Sequence, residues 1–387
     1  MVGGTLWPDL SRALLGRVLV QTAAPVTASK RHTLLYRPAA RTRPGGPGQA
    51  RGAGGPVAQA PNTHDVLLLS AIPTTPPGKR SLAVSVSRGP IRAHLACGSG
   101  GDSEEDVVMS GVYIVSDSSC DLEEDETDLP NVEIVPLSIR FGREEFTDRR
   151  DLSVEEFYKR MANFDVLPQT ACPSPGAFER AFHNAVDAGA NAVICLNISS
   201  LLSNTFQSAQ TAAAACKRGI PIHVIDSRSV SSGLGTLVLE AAKAAVGGAE
   251  SVLRRVGDLI PRTHVIAALN TLENLKKGGR IGGAKALVGS ILSIKPLIDI
   301  TGGAVQEAGR ARTRKRAMQW LYECMTGAGA IEHVSVMHSG APDIGEFLDL
   351  IAPDFPREAL KVRKMGAIVG THGGPQMIGV SWIAASK

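Results

Sequence analysis

The chain has 387 residues with a formal net charge of +4, which is long enough for two domains. Residues 1–101 hold 12 Lys or Arg and two acids, so residues 102–387 hold 29 basic and 35 acidic residues, a balance that argues against nucleic acid as a partner. Six scattered cysteines without C-x-x-C spacing argue against a disulfide framework or a zinc site. No apolar run reaches the roughly 18 residues of a spanning helix, so we expect a cytoplasmic protein without stable membrane insertion.

Residues 1–108 are predicted to be a disordered extension. Their first 101 residues carry 11 of the 23 prolines and 14 of the 41 glycines, with little apolar surface to bury. The Arg-rich, acid-poor composition also fits a transit peptide or a basic tail for anionic surfaces. We favour a third interpretation, in which the native chain starts at Met109. The codons of Glu104, Glu105 and Asp106 can spell a purine-rich ribosome-binding sequence just before it.

Residues 109–262 alternate between strand and helix patterns, which predicts a parallel sheet covered by helices on both faces. One predicted strand starts at Val112, and the others cover Val132 to Phe141, Ala192 to Leu196 and Ile222 to Asp226. Helices are predicted after Ser153, over Ala177 to Ala188, over Thr205 to Lys217 and up to Val246.

Residues 263–387 are predicted to form a smaller α/β domain, with a domain boundary near 263. Strands are expected at Val265 to Leu269, Ile294 to Ile300, His333 to His338 and Ile378 to Ile383. Helical patterns cover Thr271 to Lys276, Ala284 to Leu292 and Ala311 to Met325.

Three polar runs are candidate ligand contacts: Gln169 to Pro175, Ile198 to Thr205 and Gly370 to Pro375. The first two follow an apolar or β-rich segment and lead into a helical pattern, where an open α/β sheet exposes hydroxyls and backbone N–H groups. Together the three runs predict a site for a small anionic group.

These motifs and others, in order over 111–387, resemble the DegV family of bacterial fatty-acid-binding proteins. The resemblance rests on seven segments: Val115 to Ser118, Gln169 to Pro175, Ser199 to Ala209, Asp226-Ser227, Leu272 to Ile281, Lys295-Pro296 and Thr371 to Pro375. This sequence departs from the family pattern at Ala171, Asn204, Phe206 and Gln376, and Ala171 removes one hydroxyl donor.

The resemblance implies two α/β domains with a long-chain fatty acid between them. It further implies a carrier that presents the carboxylate to a separate fatty acid kinase, whose acyl phosphate product enters phospholipid synthesis. The residues expected to contact the carboxylate are Thr170, Ser200, Ser203, Arg280, His372 and Gly373. The apolar wall is expected from Ile281, Ala286, Leu287, Ile291, Leu292, Ile294, Leu297 and Ile298.

Each of these residues also has a structural interpretation. Thr170 fits an ordinary turn, the serines fit helix N-caps, His372 fits a structural turn, and Arg280 fits a loop salt bridge. The basic cluster of Arg310, Arg312, Arg314, Lys315 and Arg316 fits a solvated helix face or a dock for an acidic partner.

Three functions remain open: a fatty-acid carrier, a lipid-responsive sensor and a serine-dependent acyl hydrolase or transferase. The sequence contains neither a G-x-S-x-G elbow nor a G-x-x-x-x-G-K-[ST] loop. Carboxylates and histidines with metal-ligand spacing are also missing. We therefore expect a lipid-binding subunit with no catalytic residues, metal or cofactor of its own.

Overall fold

The computed structural model describes residues 111–287 and 294–386, and the backbone of four strands nearer the N-terminus. These are β1 (Val66–Ser70), β2 (Ser81–Ser85), β3 (Arg92–Ala96) and β4 (Asp106–Val108), which pair in that order as an antiparallel sheet. These strands lie in the segment predicted to be disordered and have no counterpart among the predicted strands. The rest of residues 1–108 lies outside the described residues, so the disordered extension and the start at Met109 stay predictions.

Residues 110–387 form a compact unit of their own, which begins with the predicted parallel sheet. Its strands are β5 (Val112–Asp117), β6 (Val132–Val135), β10 (Ala192–Asn197) and β11 (Ile222–Asp226), in the order β11-β10-β5-β6 with every neighbour parallel. The carboxyl ends of these strands meet at one edge of the sheet, where Asn197 pairs with Asp226.

Helices cover both faces of this sheet. Alternate residues of β10 point to opposite sides, so they pack against different helices. Val193 and Cys195 pack with α3 (Pro175–Asp187) and α4 (Thr205–Ala215), whereas Ile194 and Leu196 pack with α5 (Ser232–Ala244) and α6 (Ala249–Leu259). Two further helices are α1 (Glu124–Thr127) and α2 (Val154–Ala162). The predicted buried strand at Ala192 is therefore confirmed.

A small antiparallel sheet lies beside the parallel one and consists of β7 (Ser138–Phe141), β8 (Glu144–Thr147) and β9 (Gln169–Ala171), in the order β8-β7-β9. The single strand region predicted from Val132 to Phe141 is thus two strands in different sheets. Pro136 lies between them and has no N–H to donate to a ladder.

The second half forms a six-stranded mixed sheet in the order β14-β13-β12-β17-β15-β16. Its strands are β12 (Thr263–Ala268), β13 (Lys295–Asp299), β14 (Gln306–Ala311), β15 (Ile331–His338), β16 (Lys361–Lys364) and β17 (Ile378–Ala384). All its pairs are antiparallel except β15 with β16. The first strand begins at Thr263, and the division into two domains there stays a prediction.

Four helices accompany this sheet: α7 (Glu273–Lys277), α8 (Arg314–Gly327), α9 (Ile344–Ile351) and α10 (Ala367–Gly373). Leu321 of α8 and Phe347 of α9 are fully buried in one core cluster with Val380 of β17. None of the helices among the described residues is long and apolar enough to cross a membrane.

The helix predicted over Ala284 to Leu292 is described only in its first part, which is a 3-10 helix and not an α-helix. The structure has a 3-10 helix at Gly282–Leu287, and residues 288–293 lie outside the described residues. Gly282 has a φ of 47°, and a Cβ added there would lie 2.5 Å from the Val305 carbonyl oxygen. A glycine at 282 therefore permits the close approach of these two backbone segments.

Candidate functional site

A cavity of about 270 Å³ is lined by residues from both halves of the 110–387 unit. Its polar side chains are those of Thr170, Ser203, Asn204, Arg280 and His372, and Gly373 also contributes to the wall. Its aliphatic and thioether side chains are Leu137, Ile198, Leu202, Val230, Leu275, Ile298, Ile300, Val305, Ile368, Val369 and Met377. A mostly apolar pocket with a few polar groups is typical of a small-molecule site.

The turn after β10 carries Ser203 to the cavity and is held by Asp117 at the end of β5. The Asp117 carboxylate accepts hydrogen bonds from Ile198 N at 2.9 Å and from Asn197 Nδ2 at 3.2 Å. Asp117 is fully buried, and this burial raises its pKa against the effect of those hydrogen bonds. Its role is therefore to organise the turn from inside the protein.

Thr170 and His372 meet inside the cavity although they are 202 residues apart. Thr170 lies in β9 and His372 in α10, and their Oγ1 and Nε2 atoms are 3.0 Å apart. Gly278 faces the other side of the ring, where an added Cβ would lie 2.3 Å from His372 Nδ1. The glycine at 278 therefore makes room for the imidazole.

The surroundings of His372 favour one tautomer. Nδ1 is buried and has no hydrogen-bond partner among the described residues, so a proton there would be an orphaned donor. With the proton on Nε2, the ring donates to Thr170 Oγ1. The Thr170 hydroxyl is then left to donate its own hydrogen to a ligand.

His372 is neutral near pH 7. Burial, and after it the positive charge of Arg280, lower the pKa of His372 to about 4. A neutral imidazole can still donate through Nε2, but it adds no positive charge to the site. The cationic group of this cluster is Arg280.

Arg280 connects the segment after α7 to the turn after β10. Its Nε donates to the Leu202 carbonyl at 3.1 Å and its Nη1 donates to the Gly278 carbonyl at 2.8 Å. Next to Leu202, the Ser203 hydroxyl accepts from Thr205 N at 3.3 Å and lies 2.8 Å from Thr205 Oγ1. The half-buried Arg280 thus holds two loops together through their carbonyl groups and also places a positive charge in the cavity wall.

Ser200 is the predicted contact that the structure does not bring to the cavity. Its hydroxyl donates to Asp226 Oδ2 at 2.6 Å, its backbone N donates to Asp226 Oδ1 at 3.1 Å, and the residue is exposed. The other five predicted residues, Thr170, Ser203, Arg280, His372 and Gly373, all line the cavity.

The predicted apolar wall is tested only in part. Of its eight residues Ile298 lines the cavity, whereas Ile281, Leu297 and the half-buried Ile294 are not among the described residues that line it. Ile291 and Leu292 lie outside the described residues, and nothing is described of the side chains of Ala286 and Leu287. Leu137, Ile368 and Val369 also line the cavity, and no sequence signal separates them from ordinary core positions.

Cys172 and Asn274 were not among the site residues predicted from the sequence. Cys172 is an exposed thiol in the cavity wall, one residue from Ala171. Asn274 Nδ2 donates to the Thr371 carbonyl at 2.9 Å and so ties α7 to α10. Asn274 could have been selected from the sequence, because it is a polar residue in the family segment Leu272 to Ile281.

Thr170 and His372 are at the distance expected of a nucleophile and its base. The described residues do not supply the other groups of a catalytic site around this pair. No described residue accepts a hydrogen bond from Nδ1, so the imidazole lacks the third group that orients a catalytic base. A pKa near 4 also makes His372 a weak base at neutral pH. The described residues contain no group of three or more His, Cys, Asp or Glu that could hold a metal ion.

The low pKa of His372 predicts a loss of stability in acid. Because the folded pKa of about 4 lies below the ordinary 6.5, the unfolded chain binds the proton first as the pH falls. The free energy of unfolding should therefore drop between about pH 6.5 and 4, by at most about 1.4 kcal/mol per pH unit. The measurement is urea unfolding of the parent and His372→Gln across this range.

The difference between the two curves isolates the histidine. Asp148, whose pKa burial raises to about 6, titrates in the same range with the opposite sign, and its contribution cancels between the variants. We expect the parent to lose stability relative to His372→Gln as the pH falls, with parallel curves above about pH 6.5. A constant difference from pH 7.5 to 4 would contradict the burial of a neutral imidazole.

Comparison with known proteins agrees with this geometry. Residues 111–385 match the family described as "Uncharacterised protein, DegV family". A DegV domain-containing protein of Halalkalibacterium halodurans is 31% identical over 280 residues, which cover 71% of this chain and 99% of that protein.

Two solved structures show the same fold. One, described as "Fatty Acid Binding of a DegV family Protein from Thermus thermophilus", has a TM-score of 0.65 at 31% identity and covers 71% of this chain and 99% of its own. The other is the Streptococcus pneumoniae fatty acid kinase B3 protein loaded with linoleic acid, with a TM-score of 0.62 at 23% identity and the same coverage. This chain belongs to the DegV family.

Proposed function

We propose that this protein binds a long-chain fatty acid, with the acyl chain in the apolar part of the cavity and the carboxylate at Thr170, Ser203, Arg280 and His372. The observation that carries the proposal is the meeting of these four polar side chains in an otherwise apolar wall. Burial of an acyl chain contributes about 0.8 kcal/mol per CH₂, whereas a buried carboxylate needs donors. The Thermus thermophilus relative, described as fatty-acid-binding, supports the choice of ligand.

The carboxylate end of the cavity is the end that a second protein can reach. Ala171, Cys172 and Asn204 are exposed and line the cavity next to Thr170 and Ser203. An apolar chain directed inwards therefore leaves its carboxylate near solvent. We therefore also propose that the protein is a carrier that presents the carboxylate to a partner kinase.

Occupancy of the cavity predicts protection of Cys172 from alkylation. With palmitate filling about nine-tenths of the sites, the rate of iodoacetamide alkylation at Cys172 should fall about tenfold, because the modified population is the empty one. Mass spectrometry of the peptides gives this rate for each cysteine separately. Cys216, which is half-exposed and does not line the cavity, is the internal control. Equal rates at Cys172 with and without palmitate would contradict the placement of the ligand.

The carrier, sensor and hydrolase hypotheses differ in what the protein does with ATP and with esters. We expect the protein alone to form no hydroxamate from palmitate, ATP and hydroxylamine, and to form it when a fatty acid kinase catalytic subunit is added. Hydrolysis of p-nitrophenyl palmitate by the parent that is lost in Thr170→Val would instead support an acyl hydrolase. Palmitate binding without acyl phosphate in any reconstitution would favour a sensor.

The basic cluster at the start of α8 is the surface that we propose for the kinase. Arg314 is paired with Asp343 at 2.8 Å, and Arg310 lies 3.5 Å from Glu307. Arg312, Lys315 and Arg316 are exposed and more available to an acidic partner. Reversal of charge at Arg312 and Lys315 should lower acyl phosphate formation without changing palmitate affinity.

A further inference from the structure

A polar cluster that does not line the cavity has Asp121 at its centre. Asp121 follows the 3-10 helix Ser118–Cys120 at the end of β5, is fully buried, and has a left-handed φ of 52°. Its Oδ2 accepts from the Ser231 hydroxyl at 2.6 Å. Its Oδ1 accepts from Gly366 N at 2.9 Å and lies 3.5 Å from Arg149 Nη2.

Gly366 is the residue before α10, the helix that carries His372. A Cβ added at Gly366 would lie 2.7 Å from Asp121 Oδ1 and 3.4 Å from Arg149 Nε. Arg149 is fixed in turn, because its Nη1 donates to the Leu122 carbonyl at 2.7 Å. The residue at the start of α10 therefore lies in direct contact with a buried carboxylate and with its guanidinium partner.

One face of α10 packs against residues of the first half, and other positions reach the cavity. The Tyr158 hydroxyl donates to the Met365 carbonyl at 3.1 Å, and a Cβ at Gly370 would lie 2.3 Å from that hydroxyl oxygen. Ile368, Val369 and His372 of the same helix line the cavity. A shift at the start of α10 must therefore move the imidazole relative to Thr170.

We propose that Asp121 is a positioning residue for the carboxylate site: with Arg149 it fixes the start of α10, and through that helix the distance between His372 and Thr170. Asp121 touches no ligand in this arrangement. The proposal rests on the proposed function only for its ligand, since the position of His372 can be measured in the ligand-free protein.

The test is the pKa of His372 in the full-length chain, followed by NMR of ¹³C-labelled histidine and assigned with His372→Gln. In Asp121→Asn and in Gly366→Ala the imidazole should become more hydrated, so its pKa should rise by about one unit or more towards 6.5. Arg280 is the charged neighbour that acts on His372, and neither substitution changes it. The palmitate dissociation constant should rise about tenfold in the same variants.

Glu126→Gln is the matched control. Glu126 also lies in the first half, is buried, and pairs with Arg363 in the strand just before α10, but among the described residues no hydrogen bond or ion pair joins its side chain to that helix. We expect Glu126→Gln to lower stability and to leave the His372 pKa unchanged. An unchanged pKa in Asp121→Asn or Gly366→Ala, or an equal rise in Glu126→Gln, would overturn the proposal. If the parent binds no palmitate while the pKa still moves, the proposed function fails and the positioning role stands.

Discussion

Replacement of Thr170 by Val together with Ser203 by Ala is expected to weaken palmitate binding about a hundredfold. A hydrogen bond to a charged group contributes about 1.5–3 kcal/mol, so the loss of two hydroxyl donors removes about 3 kcal/mol or more. Every 1.4 kcal/mol is about a tenfold change in Kd, which gives the hundredfold figure. Equilibrium dialysis of radiolabelled palmitate against delipidated protein measures it.

Ser200→Ala is the control that the structure supplies for this experiment. Ser200 lies in the same turn as Ser203, but its hydroxyl bonds to Asp226 outside the cavity. We expect the palmitate Kd of Ser200→Ala to stay within about twofold of the parent value. Substitutions at exposed positions of this kind rarely change the free energy of unfolding by more than about 0.5 kcal/mol. If Ser200→Ala weakens binding as much as the double variant does, or the double variant binds like the parent while folded, our assignment of the carboxylate donors is wrong.

Replacement of Arg363 by Met should reduce the free energy of unfolding by about 3–5 kcal/mol at pH 7, because it leaves the buried carboxylate of Glu126 without its main partner. The side chains of Arg363 and Glu126 are only 3% and 8% exposed. They share two hydrogen bonds, of 2.8 and 2.6 Å, and Arg363 also donates to the Ser335 hydroxyl. Urea unfolding followed by circular dichroism is the measurement.

The pH dependence of this effect has a defined sign. Burial acts to raise the pKa of Glu126, but the hydrogen bonds and charge of Arg363 outweigh it, so the pKa lies below 4.5. The stabilisation is therefore present above about pH 4.5 and is lost as the pH falls below that value. Arg357→Met is the control, because Arg357 pairs with Asp349 on the surface, where the side chains are 55% and 81% exposed. Equal losses in Arg357→Met and Arg363→Met would contradict a special role for the buried pair.

The parallel sheet could be predicted from the sequence because its strands are buried on both sides and read as continuous apolar runs, as at Ala192–Asn197. The edge strand Gln306–Ala311 was missed for the opposite reason, since it carries Gln306, Glu307 and Arg310 in place of alternating apolar residues. The break between β6 and β7 was also missed, although Pro136 was visible, because both sides of it have strand composition.

Five of the six predicted site residues line the cavity: Thr170, Ser203, His372 and Gly373 lie in the three polar runs, and Arg280 lies just after α7. The sequence could not separate Ser203 from Ser200, since the choice depends on Asp226, which is 26 residues away along the chain. It also could not show that Thr170 lies in a strand and bonds to the imidazole of His372. Contacts between such distant residues depend on tertiary packing, which local patterns do not encode.

The order of strands in the mixed sheet has a consequence for protein synthesis. β17 leaves the ribosome after all the other described strands, yet it pairs with both β12 and β15 in the middle of the sheet, and it follows the helix that carries His372. A nascent chain that has not yet released Ile378–Ala384 lacks the strand that joins β12 to β15, so its second sheet remains in separate parts. Capture of the proposed acyl ligand would then begin only after β17 has been released, and we expect chains truncated before β17 not to bind it.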